Sequence, residues 1–286
     1  ANMWVRTLLR RAQGVRLVAR ASQGCAIKMA RSLGAFGSLL TACYLVEHQR
    51  ISSRNAHCKA DAKDEANIRK AIQICDKLYD EGQHSKIKDF LESQLECECM
   101  AVPEILWRFA RACYDVADKT KDISKAEKKK LMDFSFAMIS KALITGDDNF
   151  AVHKWYGIVL NKMSEFQGTK ERILSSFVVR DHWLRAEQLN PKDPTTSSLL
   201  GEWCYAVAGL SSITRAAAAT FMASPPKATV EEALGHFLAA ERKQPGFWSK
   251  NRLSLARCLV DLRRHEEARE WLEKIRQTPP RNAEDE

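Results

Sequence analysis

The chain has 286 residues, 45% of them hydrophobic, and a formal net charge of +9, so it can bury a sizeable core in one large or two ordinary domains. Residues 1–60 hold ten Lys or Arg against one acid, Glu47, and the other 226 residues hold 35 basic and 35 acidic side chains. The charge therefore belongs to the N-terminal segment, and a neutral body argues against binding nucleic acid or another acidic polymer by bulk attraction, leaving only a local basic patch for it.

Residues 1–31 form a basic amphipathic segment. Trp4, Leu8, Ala12, Val15 and Ala19 share one helical face, and Arg6, Arg10, Gln13, Arg16 and Arg20 share another. An Arg-rich, acid-free amphipathic N-terminus fits a mitochondrial transit peptide, and it also fits a basic helix lying on an anionic membrane. Residues 32–47 contain fifteen uncharged residues between Arg31 and Glu47. As a helix they are about 22 Å long, short of a ~30 Å hydrocarbon core. They read as a membrane-contact segment that spans, lies in the interface or continues an import signal. Residues 48–64 are polar and read as a linker.

From Glu65 the pattern turns helical and holds to Pro280, ahead of an acidic tail, 281–286. Ile68, Ala71, Ile72, Cys75, Leu78 and Tyr79 make one stripe, Asp80-Glu81-Gly82-Gln83 a turn, and Ile87, Phe90, Leu91 and Leu95 a second helix. A third helix follows Pro103. A lysine-rich segment from Lys119 to Lys130 is expected to link it to a fourth, and the run Lys128–Lys130 reads as a solvated face.

The last third repeats itself. Ala233, Phe237, Ala240 and Pro245 recur as Ala268, Leu272, Ile275 and Pro280, with offsets of 4, 3 and 5 in each copy. With Ser249 as position 1, the small or apolar positions 7, 8, 11, 20, 24 and 27 fall on Leu255, Ala256, Leu259, Ala268, Leu272 and Ile275. Two antiparallel helices at close range need small residues where their backbones approach and large ones elsewhere. That is the tetratricopeptide pattern, and such units must stack on neighbours to bury their apolar faces. Two upstream units fit it at both ends and are stretched in the middle. One runs from Tyr156, Gly157 and Leu160 to Trp183, Ala186 and Pro191, with about ten extra residues. The other runs from Leu200, Gly201 and Cys204 to Ala233, Phe237, Ala240 and Pro245, with about twenty. Part of the longer insertion, Ile213–Met222, reads as a further helix or flap.

The strings FAVHKWYGIVL (150–160), AEQLNPKD (186–193), GEWCYAVAG (201–209), Pro225-Pro226 and FWSKNRLSLAR (247–257) resemble the regulator of microtubule dynamics family over about residues 65–275. The resemblance implies a tetratricopeptide-like domain behind a segment directing the protein to mitochondria or membranes. It also implies links to microtubules and spindle poles, work at membrane contact sites in at least one branch, and no catalytic residues. The short N-terminus most resembles the mitochondrial branch.

The expectation is an all-α, tetratricopeptide-like right-handed helical-hairpin solenoid of about four units with helical insertions, preceded by the N-terminal amphipathic and apolar segment. No phosphate loop, dinucleotide fingerprint, nucleophile elbow or H-E-x-x-H is present. His153 and Trp155 read as packing or a helix-to-helix hydrogen bond. The nine cysteines are dispersed, with only Cys97-x-Cys99 close, and read as buried reduced thiols. No enzyme, cofactor or metal is expected. In such repeats the first helices line the concave face through positions 2, 5, 9 and 12, which selects the polar residues Lys154, Asn161, Glu202, Tyr205, Lys250 and Arg257. They suit an acidic peptide or a lipid phosphate. The partners expected are a protein, tubulin or microtubule-associated, and the mitochondrial membrane through the N-terminal segment. The alternative function is a phospholipid-binding or lipid-transfer module.

Overall fold

The structure, a computed structural model, describes residues 62–94, 101–166, 168–221 and 227–278. The basic segment 1–31, the membrane-contact segment 32–47, nearly all of the linker 48–64 and the tail 281–286 lie outside the described residues. Those that are described form helices and turns only. The helices are α1 (Ala62–Asp80), α2 (His84–Gln94), α3 (Pro103–Lys119), α4 (Lys125–Thr145), α5 (Phe150–Ser164) and α6 (Thr169–Leu189), then α7 (Pro194–Ala208), α8 (Ser212–Phe221), α9 (Val230–Lys243), α10 (Ser249–Asp261) and α11 (His265–Arg276). The chain forms two compact units, one ending at Val178 and one starting at Val179, a division that falls inside α6.

In the first unit the expected stripe of α1 packs with α2 and α3. Ala71, Cys75, Ile87, Leu91, Ile105, Phe109, Ala112 and Cys113 are the buried centre, and Ile68, Ile72, Leu78 and Tyr79 pack around it. Gly82 makes the intervening turn possible. It sits at φ +68°, with its N–H on the Tyr79 carbonyl and the Gln83 N–H on Leu78, which closes α1 in the left-handed conformation that glycine adopts at least cost. Pro103 opens α3 at its first turn, where a missing N–H costs nothing. The lysine-rich segment differs from expectation. Ser124 caps α4, its hydroxyl accepting from the Glu127 N–H while the Glu127 carboxylate accepts from the Ser124 N–H. That reciprocal capping box starts the helix at Lys125, so Lys125 and Lys128–Lys130 belong to its first two turns rather than to a linker. Met132, Phe136, Ile139 and Ala142 bury one face of α4, and the buried Ser135 hydroxyl donates to the Ala110 carbonyl of α3 at 2.7 Å.

The second unit contains the clearest repeats. Asp193 caps α7 by accepting from the Thr196 N–H at 2.8 Å, and Pro194 occupies its first turn. The helix packs on α9, where a Cβ on Gly201 would stand 2.7 Å from Cε1 of the fully buried Phe237. Positions 8 and 24 of the repeat thus meet with no room for a methyl. The twenty inserted residues hold α8, whose Arg215 donates to the carbonyls of Val207, Ala208 and Leu210 at the open end of α7. The ten extra residues of the preceding unit accompany a second helix, α6, of 21 residues. In the last pair, Ser249 starts α10 as expected, and Leu255, Ala256, Leu259 and Ala268 are all buried. Leu272, the counterpart of Phe237, is instead 45% exposed. It lies on the last described helix, and no described helix follows to cover it.

Candidate partner-docking face

Six polar side chains were expected on the first-helix faces. Lys154 and Asn161 lie on α5 in the first unit, Glu202 and Tyr205 on α7, and Lys250 and Arg257 on α10, both in the second. On α5, Lys154 is half-buried with its ammonium 5.1 Å from the Phe150 ring centroid, and Asn161 is exposed. The α5 helix is set by Asn149, whose amide oxygen caps it through the Ala151 N–H and whose Nδ2 donates to Glu104 of α3 at 2.6 Å.

On α7 the two selected residues are not open. Ser254 of α10 donates to Glu202, and the Tyr205 hydroxyl donates to Asp261 of α10 at 2.9 Å. Burial, then the bond to Asp261, pushes the Tyr205 hydroxyl above its ordinary pKa. Glu202 and Tyr205 thus fasten one first helix to the next. Lys250 and Arg257 remain exposed, the former with its ammonium 5.1 Å from the Trp248 ring centroid. Alternating with them, at positions 5 and 12 of the same helix, stand Leu253 and Val260, 37% and 46% exposed. Polar selection missed this pair, although their offsets place them on the same face.

The first unit holds a polar cluster with no local sequence signal. Arg108 makes two parallel bonds of 2.9 Å to Asp76 of α1 and donates to the Glu104 carbonyl and, at 2.6 Å, its carboxylate. Trp107 and Asn149 donate to the same carboxylate. Burial alone would raise the Glu104 pKa, but the bonds from Trp107, Arg108 and Asn149 outweigh it and hold the carboxyl below its usual range. Arg111 lies face-on over Tyr79, 3.5 Å from the ring centroid, and burial lowers its pKa. Each charge here faces an opposite charge or a ring, which makes the cluster a fastener of α1, α3 and α5. The His153 Nε2–H donates to the Asp147 carbonyl, 3.0 Å away in the preceding turn.

The described cysteines bring no reactive centre. Cys75, Cys113, Cys204 and Cys258 are buried and unbridged, and burial pushes their pKa values up to about 11, 12, 11 and 12. They are thiols rather than thiolates at neutral pH. Among the described residues no group of three or more His, Cys, Asp or Glu could hold a metal ion, and no helix is long and apolar enough to cross a membrane.

The profile described as Regulator of microtubule dynamics protein 1-3 matches residues 71–286. Regulator of microtubule dynamics protein 1 of Pongo abelii is 36% identical over 251 residues, 87% of this chain and 77% of that protein. Its Bos taurus counterpart is 36% identical over 76% of this chain and 68% of its own length. Regulator of microtubule dynamics protein 3 of Rattus norvegicus is 34% identical over 77% of this chain and 46% of its own. Among solved structures, a thermophilic tetratricopeptide-repeat protein of Thermus thermophilus aligns at a TM-score of 0.48 with 13% identity, over 84% of this chain and all of that one.

Proposed function

The chain belongs to the regulator of microtubule dynamics family, and we propose that it is a non-catalytic scaffold that joins a microtubule-associated partner or tubulin to mitochondria. The helical pairs supply the partner-binding surface. The N-terminal basic and apolar segments supply the address and the membrane contact. The observation that carries the reading is the state of the charged side chains. Those of the two fasteners are bound to partners inside the fold, whereas Lys250 and Arg257 stand exposed two helical turns apart on one face of α10. Helical pairs that hold their own polar groups and offer a face of exposed cations without ion pairs bind rather than react.

Two experiments test it. The full chain should pellet with microtubules, and residues 1–60 fused ahead of a fluorescent protein should carry it to mitochondria. A full chain that stays in the supernatant at low salt both alone and with cell extract added refutes the microtubule half, and a diffuse fusion refutes the mitochondrial half.

A further inference from the structure

Lys250, Leu253, Arg257 and Val260 follow one another at offsets of 3, 4 and 3, so they form a single stripe along α10. At 100° per residue the stripe has two edges, Leu253 and Val260 on one and Lys250 and Arg257 on the other. The rest of α10 is committed to the fold. Asn251 donates to the Phe237 carbonyl, Arg252 pairs with Glu241, Ser254 donates to Glu202, and Leu255, Ala256, Cys258 and Leu259 are buried. The carboxylates of Glu202 and Asp261 accept from the neutral hydroxyls of Ser254 and Tyr205. Among the described residues neither Lys250 nor Arg257 has an ion pair. The apolar edge is equally unspent: with Leu272 of α11, also exposed, the last hairpin holds half of the large hydrophobic side chains that the described part of the chain leaves in water.

We propose that this face docks a partner segment that is both acidic and apolar. The segment is a helix whose large aliphatic residues, recurring every three or four positions, cover Leu253 and Val260 while Asp or Glu on its flank meet Lys250 and Arg257. The proposal rests on the reading that the chain is a scaffold with its first helices as the docking face, and it names the chemistry of what docks. The alternation sets the choice. A purely acidic polymer would leave Leu253 and Val260 wet, and a purely apolar segment would leave two cations desolvated at its rim. Two cations are also fewer than the roughly four to eight basic side chains with which a helix holds an anionic bilayer.

The test uses the full chain and a synthetic helical probe of about 14 residues, some four turns, with Leu at offsets of 3 and 4 and Glu one residue after each. Two control probes replace every Leu with Ser or every Glu with Gln. Fluorescence anisotropy should show the mixed probe binding, more weakly as salt rises, and each control binding at least about tenfold more weakly. K250E/R257E and L253S/V260S should each weaken the mixed probe by about tenfold; K250E/R257E should leave Tm in place because both cations are exposed, whereas L253S/V260S, whose side chains are partly packed, should lower Tm slightly and leave the chain folded. No binding of the mixed probe, or equal binding of the all-acidic control, overturns the proposal. Phosphatidylserine vesicles competing through the same four residues would make the occupant a bilayer. A dimer lost in L253S/V260S would make it a second copy of the chain, and either result overturns the assignment. Should the full chain pellet with microtubules while ignoring the probe, the scaffold reading stands and this one falls.

Discussion

The contact between Gly201 and Phe237 supports a test in which two energies of opposite sign compete. Replacing Gly201 with Ala in the middle of α7 should gain about 1 kcal/mol from helix propensity. The new methyl, however, would lie 2.7, 2.8 and 3.0 Å from Cε1, Cδ1 and Cζ of Phe237. That ring is fully buried and belongs to the packed face of α9, so it cannot swing into solvent. Overpacking of this kind costs about 1–3 kcal/mol. The net expectation is a loss of about 1 kcal/mol, with the sign set by the close approach. Gly235, in the interior of α9, provides the control, because a Cβ there meets nothing within 4 Å. Gly235→Ala should therefore stabilise by ~0.5–1 kcal/mol. The assay is urea unfolding of both variants and of Gly201→Ala in a Phe237→Leu background, where the methyl has room and its penalty should vanish. If Gly201→Ala stabilises as much as Gly235→Ala, positions 8 and 24 do not meet here and the repeat register is wrong.

Three further outcomes follow from other contacts. Arg252 donates to the buried Glu241 carboxylate at 2.6 and 3.0 Å and to Thr278 at 2.9 Å; Arg252→Met strands that carboxylate and should cost about 3 kcal/mol in urea unfolding, much of it recovered in Glu241→Met/Arg252→Met. Glu104 has its carboxyl held below the ordinary 4.5, so the folded chain binds fewer protons there; its contribution should be complete above that pH and lost as pH falls through the depressed folded value, and in Glu104→Gln the acid limb of the stability curve should flatten. Cys75, Cys113, Cys204 and Cys258, buried with raised pKa values, should react with a thiol reagent at pH 8 only after denaturation, and fast labelling of the native chain at any of them would contradict their burial.

The helical pairs were legible because their signal is local and repeated. Gly201, Ala233, Phe237 and Ala240 hold positions whose small-or-large alternation is required by two backbones at close range, and all are buried in the structure. The start of α4 was equally local and was passed over, since Ser124 and Glu127 form a capping box beside lysines that read as a linker. Other features have no local trace. Arg108 and Asp76 lie 32 residues apart, and periodicity says which face each occupies without saying that they face each other. The same gap explains the site residues. Position 9 or 12 on a first helix tells that Glu202 and Tyr205 point away from the second helix of their own hairpin. Whether they reach solvent depends on Ser254 and Asp261, 52 and 56 residues further on.

What separates the charges that hold this fold from those available to a partner is the cost of leaving them alone. A buried guanidinium or carboxylate without a counter-charge must be desolvated for nothing in return, so Arg108, Lys243 and Arg252 each keep a carboxylate within 3.1 Å. Lys250 and Arg257 are exposed, and among the described residues neither makes an ion pair. Their substitution should therefore be silent in unfolding, whereas Arg252, five residues before Arg257 on the same helix, should be expensive to replace. A pair of measurements on α10 thus tells the two classes apart: a stability loss at Arg252 with unchanged stability at Arg257 leaves the exposed face free to serve recognition. An equal loss at both would mean that Arg257 has a partner within the fold and that the docking face must be sought elsewhere.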